Sequence, residues 1–166
     1  GMRYDLDVLK AEAARLQSLL REDGYYFIQD NDFTYLADTV TGGREVDLLL
    51  KLRPDVETTH LTPQRIVRIN VFPDLRLGDS TAQVPQDTLF YDGLHIICND
   101  CPLRPKVLGE AMAMQENDPY SPVAHDKTLR RLAGYNMFRY VSLDYDLVPG
   151  SDSALVLTAR MEPQLR

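Results

Sequence analysis

Apolar positions fall on two rhythms along this chain, and the switches between them mark its elements. Between Asp5 and Arg21, Leu9, Ala13, Leu16 and Leu20 recur at i, i+4, i+7 and i+11, the single stripe of an amphipathic helix. Asp5 and Asp7 suit a helix start, and Arg15 and Arg21 lie toward its end. Gly24 follows, takes positive φ at little cost, and is the predicted cap. Tyr25, Tyr26 and Phe27 then begin extended chain. From Phe33 to Asp38 the period is two, with Phe33, Tyr35 and Ala37 on one face of a predicted strand. Thr41-Gly42-Gly43 reads as a turn. Arg44 to Leu52 alternates again and sets Val46, Leu48, Leu50 and Leu52 together. Pro54 to Pro63 carries little apolar content and reads as a linker.

A second unit starts at Arg65. RIVRINVF (65–72) puts Val67, Ile69 and Val71 on one face, and Pro73 ends that strand. Pro73 to Tyr91 reads as a long polar excursion, and long loops in small domains are functional or mobile. Leu94 to Ile97 is a short apolar run. Pro105 opens a short helix through Met112, with Val107, Leu108, Ala111 and Met112 inward. Ser121-Pro122 starts another, serine as N-cap and proline as first residue, and it stops near Gly134. Phe138 to Leu147 and Ala154 to Met161 are predicted strands around the turn Pro149-Gly150-Ser151-Asp152.

The two units align. Gly24-Tyr25 matches Gly134-Tyr135, Leu48-Leu50-Leu52 matches Leu157-Ala159-Met161 at an offset of 109 residues, and Pro54 and Pro163 close both. The pattern is a tandem repeat of strand, helix, helix, strand, strand. The expectation is a first module at 2–56 that lacks its opening strand and its short first helix, a linker at 57–64, and a second module at 65–166 with the long loop at 73–92. Gly1 ahead of Met2 reads as a cloning scar and is left out of the fold reasoning.

Composition narrows the function classes. The 166 residues suit one ordinary domain or two small ones. With 44% hydrophobic and 26% charged residues the chain is globular rather than disordered. A net charge of −7 repels phosphate backbones and anionic lipid, which argues against nucleic acid as partner. No apolar run reaches the roughly 18 residues that cross a bilayer as a helix.

Helix-Gly-Tyr ahead of the second strand, in the order β-α-α-β-β, resembles the polypeptide-transport-associated (POTRA) domain of BamA- and TamA-type outer-membrane assembly proteins. LLREDGYYFIQ with FTYLADTVTGGREVDLLLKLRPD is similar to the version in surface-antigen-type members from Bacteroidetes-like bacteria. QRIVRINVFPD, DTLFYDGLHII and LRPKVLGEAM resemble that subgroup's next domain. The resemblance covers nearly the whole chain, and its motifs are apolar and structural.

It implies an α+β fold: two modules, each a three-stranded mixed sheet with two helices on one face. It implies a periplasmic location, with attachment to the outer membrane through a C-terminal barrel beyond Arg166. It also places the strand of Phe33, Thr34, Tyr35 and Leu36 and that of Phe138, Tyr140 and Ser142 at sheet edges, where unpaired N–H and C=O groups take up an extended client. The implied partners are unfolded or extended outer-membrane polypeptides, accessory periplasmic proteins and the chain's own barrel. No cofactor is implied.

Motifs for covalent chemistry are sparse. Cys98-Asn99-Asp100-Cys101 has redox spacing, but it follows the strand-like LHII and precedes Pro102 instead of opening a helix. Zinc needs two more ligands than these cysteines, and no second CxxC exists. A local disulfide, at home in an oxidising periplasm, and a pair of free thiols both fit. His60, His95 and His125 lack ligand spacing, and Asp30-Asn31-Asp32 lacks the glycine and glutamate of a calcium loop. Lys127, Arg130 and Arg131 form a small basic patch: a solvated face, or a contact for a partner or lipid headgroup. Two other function classes remain: a stand-alone adaptor, and a small enzyme with its site in the 73–101 loop near Asp92, His95 and Asp100.

Overall fold

The computed structural model describes residues 5–38, 46–75 and 87–164. The Thr41-Gly42-Gly43 turn and most of the long loop, residues 76–86, lie outside the described residues. The first helix, α1, spans Leu6–Glu22; the Asp5 carboxylate caps it, accepting from the Asp7 amide at 2.9 Å. Gly24 turns the chain away at φ 101°, a conformation that a side chain would strain. Strands β1 (Phe33–Asp38) and β2 (Asp47–Leu52) pair antiparallel as a two-stranded sheet, Phe33 opposite Leu52 and Asp38 opposite Asp47. The predicted linker is not featureless: Thr58–Leu61 forms one 3₁₀ turn.

The remaining strands are β3 (Arg65–Phe72), β4 (Thr88–Tyr91), β5 (Leu94–Ile97), β6 (Phe138–Leu147) and β7 (Ala154–Pro163), with helices α2 (Pro105–Ala111) and α3 (Pro122–Gly134). They form one sheet in the order β4-β5-β3-β7-β6. β3 runs parallel to both β5 and β7, while β4–β5 and β6–β7 are antiparallel. The expected mixed trio β3-β7-β6 is present, but the sheet has five strands instead of three. The hairpin β4–β5 extends it past β3 and takes its residues from the stretch read as loop and apolar run.

The α+β class follows from layering. One row of the sheet reads Leu94, Ile69, Leu157 and Tyr145 across neighbouring strands. All four are buried in a single core with Leu108 and Ala111 of α2 and Leu132 of α3, so both helices cover that face. The next row, Phe90, His95, Asn70, Thr158 and Asp144, belongs to the opposite face. Ser121 caps α3, its Oγ accepting from the Ala124 amide at 3.2 Å, and proline opens both α2 and α3. The glycine correspondence of the two units shifts here. Gly134 is the last helical residue of α3, and the left-handed turn falls on Asn136 at φ 52°. Asparagine tolerates that region well enough to do in the second unit what Gly24 does in the first. No helix among the described residues is long and apolar enough to cross a membrane.

Candidate docking edges

Among the described residues four strands lie at a sheet edge: β6 and β4 at the ends of the five-stranded sheet, and β1 and β2. β6 pairs with β7 on one side, and no described strand pairs on the other. The Val148 amide donates to the Ala154 carbonyl at 2.9 Å. Antiparallel alternation from that bond leaves the amides and carbonyls of Val141, Leu143 and Tyr145 pointing outward. The side chains predicted for this edge divide. Phe138 is buried in the core, Tyr140 is 47% exposed, and Ser142 is half-buried with its hydroxyl donating to Asp144 Oδ2 at 3.1 Å. Asp144 also pairs with Arg160 of β7. The edge thus presents Tyr140 and backbone, with Phe138 anchoring it from beneath.

β1 and β2 form the other exposed pair. Leu36 is 53% exposed and Thr34 is open, whereas Phe33 and Tyr35 are half-buried, the Tyr35 hydroxyl donating to the Leu9 carbonyl of α1 at 2.7 Å. On β2, Leu48, Leu49 and Leu52 are exposed and Leu50 half-buried. The leucines that the alternation set together therefore do not line a closed core among the described residues.

Gln64, one residue before β3, ties the chain after α1 to the turn between β6 and β7. Its side chain is fully buried. The Tyr26 amide donates to Gln64 Oε1 at 2.7 Å, and Nε2 donates to the carbonyls of Thr59 at 2.7 Å and Asp152 at 3.2 Å. Its backbone amide donates to Gly24 O at 2.9 Å, and its carbonyl accepts from Tyr120 at 3.0 Å. Around it, the Tyr26 ring meets Tyr120 and Tyr145 at centroid distances of 4.7 and 5.1 Å. His125 Nδ1 lies 3.0 Å from the Tyr145 hydroxyl. Burial pushes the Tyr145 phenol far above its usual range, with Tyr120 and Tyr26 adding to the rise. Burial holds the His125 imidazole below its ordinary value, against the opposing pull of Asp126 and Asp144. His60 Nδ1 sits 2.7 Å from Asp32 Oδ2, which also accepts from the Gln29 amide at 2.8 Å, so Asp30-Asn31-Asp32 is a capped turn.

The other candidates scatter. Cys98 and Cys101 are joined in a disulfide at the end of β5, their Cα atoms 5.5 Å apart, and the Asp74 carboxylate accepts from the Asn99 amide beside it at 2.9 Å. His95 contacts Phe90 edge-on and Glu116 at 3.8 Å. Among the described residues no group of three or more histidine, cysteine or carboxylate side chains could hold a metal ion. Lys127, Arg130 and Arg131 line an open hollow of about 470 Å³ with Val123 and Asp126.

Two features escaped the sequence pattern. Strand β4 hid inside a stretch read as polar loop, although TLFY-Asp92-Gly93-LHII carries the Asp-Gly signal of a tight hairpin. Gln64 gave no signal at all, because a glutamine beside a proline reads as surface.

No family profile matches the chain. No curated protein matches it either. Among solved structures, a BamA from Haemophilus ducreyi lacking POTRA domains 1–3 superposes with a TM-score of 0.57 at 12% identity, over 99% of this chain and 24% of that one. The N-terminal domain of Omp85 from Thermosynechococcus elongatus gives 0.46 at 14% identity, over 100% of this chain and 56% of that one. POTRA1–3 of Omp85 from Anabaena gives 0.46 at 12% identity, covering 97% and 52%. The chain spans about a quarter of the length of the BamA structure it matches. Its fold is α+β of the POTRA type, and the particular likeness that carries this is to BamA.

Proposed function

We propose that the chain is a periplasmic protein-binding segment of an outer-membrane protein assembly or translocation factor. It holds two tandem POTRA-like modules, at 2–56 and 65–166, of which the first lacks its opening strand. Extended client polypeptides dock by strand addition on β6 and on β1, accessory periplasmic proteins dock on exposed faces, and the chain's own barrel follows in the full-length protein. The sequence resemblance to surface-antigen-type proteins of Bacteroidetes-like bacteria belongs to the same reading. No covalent chemistry is part of it.

The observation that carries the proposal is the outer edge of β6 on a POTRA-type sheet, with which no described strand pairs. Main-chain groups of Val141, Leu143 and Tyr145 point outward there, with Tyr140 exposed beside them. Strand addition uses backbone hydrogen bonds, so it makes little demand on client sequence, as a handler of many unfolded proteins requires. The Cys98–Cys101 disulfide suits an oxidising compartment.

A photo-crosslinking side chain at Tyr140 tests the proposal with urea-denatured outer-membrane barrel proteins diluted onto the chain. Adducts are expected at Tyr140 and not at Arg130 on α3. Val141→Pro removes an outward donor without touching the β7 ladder and should abolish them. Equal adducts at both positions, or adducts that survive Val141→Pro, would sink the reading.

A further inference from the structure

The hairpin β4–β5 gives the five-stranded sheet a second outer edge, remote from β6. β4 occupies the far end of the order β4-β5-β3-β7-β6, and no described strand pairs with its outer side. Every residue from Thr88 to Tyr91 is exposed, Phe90 to 65% and Leu89 to 47%. The turn behind it is built firmly. Asp92 and Gly93 carry φ of 47° and 79°, the paired positive values of a type I′ turn. Tyr91 lies against α2 so closely that a Cβ on Gly109 would sit 3.1 Å from its ring. β4 is therefore held in extended form before anything binds.

Its chemistry selects a partner. A two-residue turn makes Tyr91 and Leu94 a hydrogen-bonded pair, so alternation turns the amide and carbonyl of Thr88 and of Phe90 outward. No lysine, arginine or proline lies in TLFY, so the usual guards of an exposed edge are missing. Carboxylates bracket the strand instead. Asp87 and Asp92 are exposed, and neither forms an ion pair among the described residues. At the turn end Glu116 approaches His95, and at the other end Asp100 follows Cys98 on the disulfide turn. A second copy of the chain fits badly. In the two antiparallel registers that pair Phe90 with Thr88 or with itself, Asp87 of one β4 falls within one residue of Asp92 of the other, and like charges repel there.

We propose that β4 is a second docking site, for an extended polypeptide segment of alternating apolar residues that carries a lysine or arginine at each end. The backbone of Thr88 and Phe90 pairs with the segment, the Phe90 ring packs on its apolar side chains, and Asp87 and Asp92 hold its terminal cations. The site is independent of β6, and it stands or falls apart from the reading given above.

The test uses the full 166-residue chain and two fluorescent peptides, Lys-Val-Thr-Val-Thr-Val-Lys and the same sequence with glutamate at both ends, followed by anisotropy. The lysine-ended peptide should bind about tenfold more tightly than its counterpart. Phe90→Pro deletes an outward donor while sparing the β5 ladder, and should weaken binding about tenfold with an unchanged far-ultraviolet spectrum. Asp87→Asn with Asp92→Asn needs no backbone change and should erase the preference between the peptides. Val141→Pro on β6 should leave affinity within about twofold. Failure of the lysine-ended peptide to bind, equal binding of both, or indifference to Phe90→Pro and to the double asparagine variant overturns the proposal. So does loss of binding in Val141→Pro alone, which would put the peptide on β6, or a dimer that Phe90→Pro dissolves.

Discussion

Replacing Gln64 probes how firmly the chain after α1 is held to the five-stranded sheet. The side chain is fully buried and makes three hydrogen bonds, one accepted from Tyr26 and two donated to Thr59 and Asp152. Gln64→Leu keeps most of the volume and removes all three. The half-buried Tyr26 amide then keeps only its bond to the Gly24 carbonyl at 3.0 Å, and the hydrogen bond it loses is worth about 0.5–1.5 kcal/mol. The two carbonyls each lose one partner, a smaller penalty because carbonyls tolerate under-satisfaction better than amides do. The total expected is about 1–3 kcal/mol. Gln64→Glu separates the parts: it keeps an acceptor for Tyr26 but turns an oxygen instead of a donor toward the two carbonyls, and should cost at least as much. Urea unfolding followed by circular dichroism and tyrosine fluorescence reads the result, since the chain has nine tyrosines and no tryptophan. With a slope of about 2 kcal/mol per molar urea, the midpoint should fall by roughly 0.5–1.5 M. A shift below about 0.3 M in Gln64→Leu would refute the claim that these three hydrogen bonds stabilise the fold.

Other outcomes follow from single positions. His125 has its imidazole held below the ordinary value by burial, so the unfolded chain takes up the proton first as pH falls. Its contribution is full above the unfolded value of about 6.5 and declines below it, so the fall in urea midpoint from about pH 7.5 to about pH 5 should be smaller in His125→Gln than in the wild type; an identical fall in both would contradict this. Gly24→Ala places a side chain at φ 101° and should lower stability by about 1–3 kcal/mol, whereas Asn136→Gly, at φ 52°, should change it by less than about 1 kcal/mol, both read from urea midpoints. The Arg160–Asp144 pair has both side chains more than a third exposed, so Asp144→Asn should cost under about 1 kcal/mol in the same assay.

Local signals were legible wherever one residue type has one dominant physical use. Asp5, Ser121, Pro105 and Pro122 mark helix starts because a short oxygen or a missing N–H has little other use there, and all four mark them in the structure. Alternation located β3, β6 and β7 because a half-buried strand must alternate. The β4–β5 hairpin escaped because only four residues separate Asp87 from the Asp-Gly turn, and neighbouring polar residues swamp so short a window. Which side chains show at the edges was not legible either. Phe138 and Tyr140 both read as edge aromatics, yet an irregularity in the β6–β7 register lies between them, leaving Phe138 buried and Tyr140 open. Gln64 owes its role to contacts far apart in sequence, with Tyr26 on one side and Asp152 on the other, which no local pattern encodes.

The leucines of β2 show why the same pattern has two outcomes in one chain. In β7, Leu155, Leu157 and Ala159 are fully buried; in β2, Leu48 and Leu52 are exposed and Leu50 half-buried, although both strands alternate alike and both pair antiparallel with a preceding strand. What differs is the other edge and the covering layer. β7 has β3 running parallel along its free side and α2 beside α3 above the shared face, while β2 has no described neighbour beyond β1. Burying a leucine side chain contributes about 1.5–3 kcal/mol, so three half-exposed leucines on a two-stranded ribbon leave several kcal/mol unrealised. Among the described residues the segment from α1 to β2 therefore draws its stability less from a core of its own than from its attachment through Tyr26, Phe27 and Gln64 to the five-stranded sheet, whose core Tyr26 and Phe27 pack against.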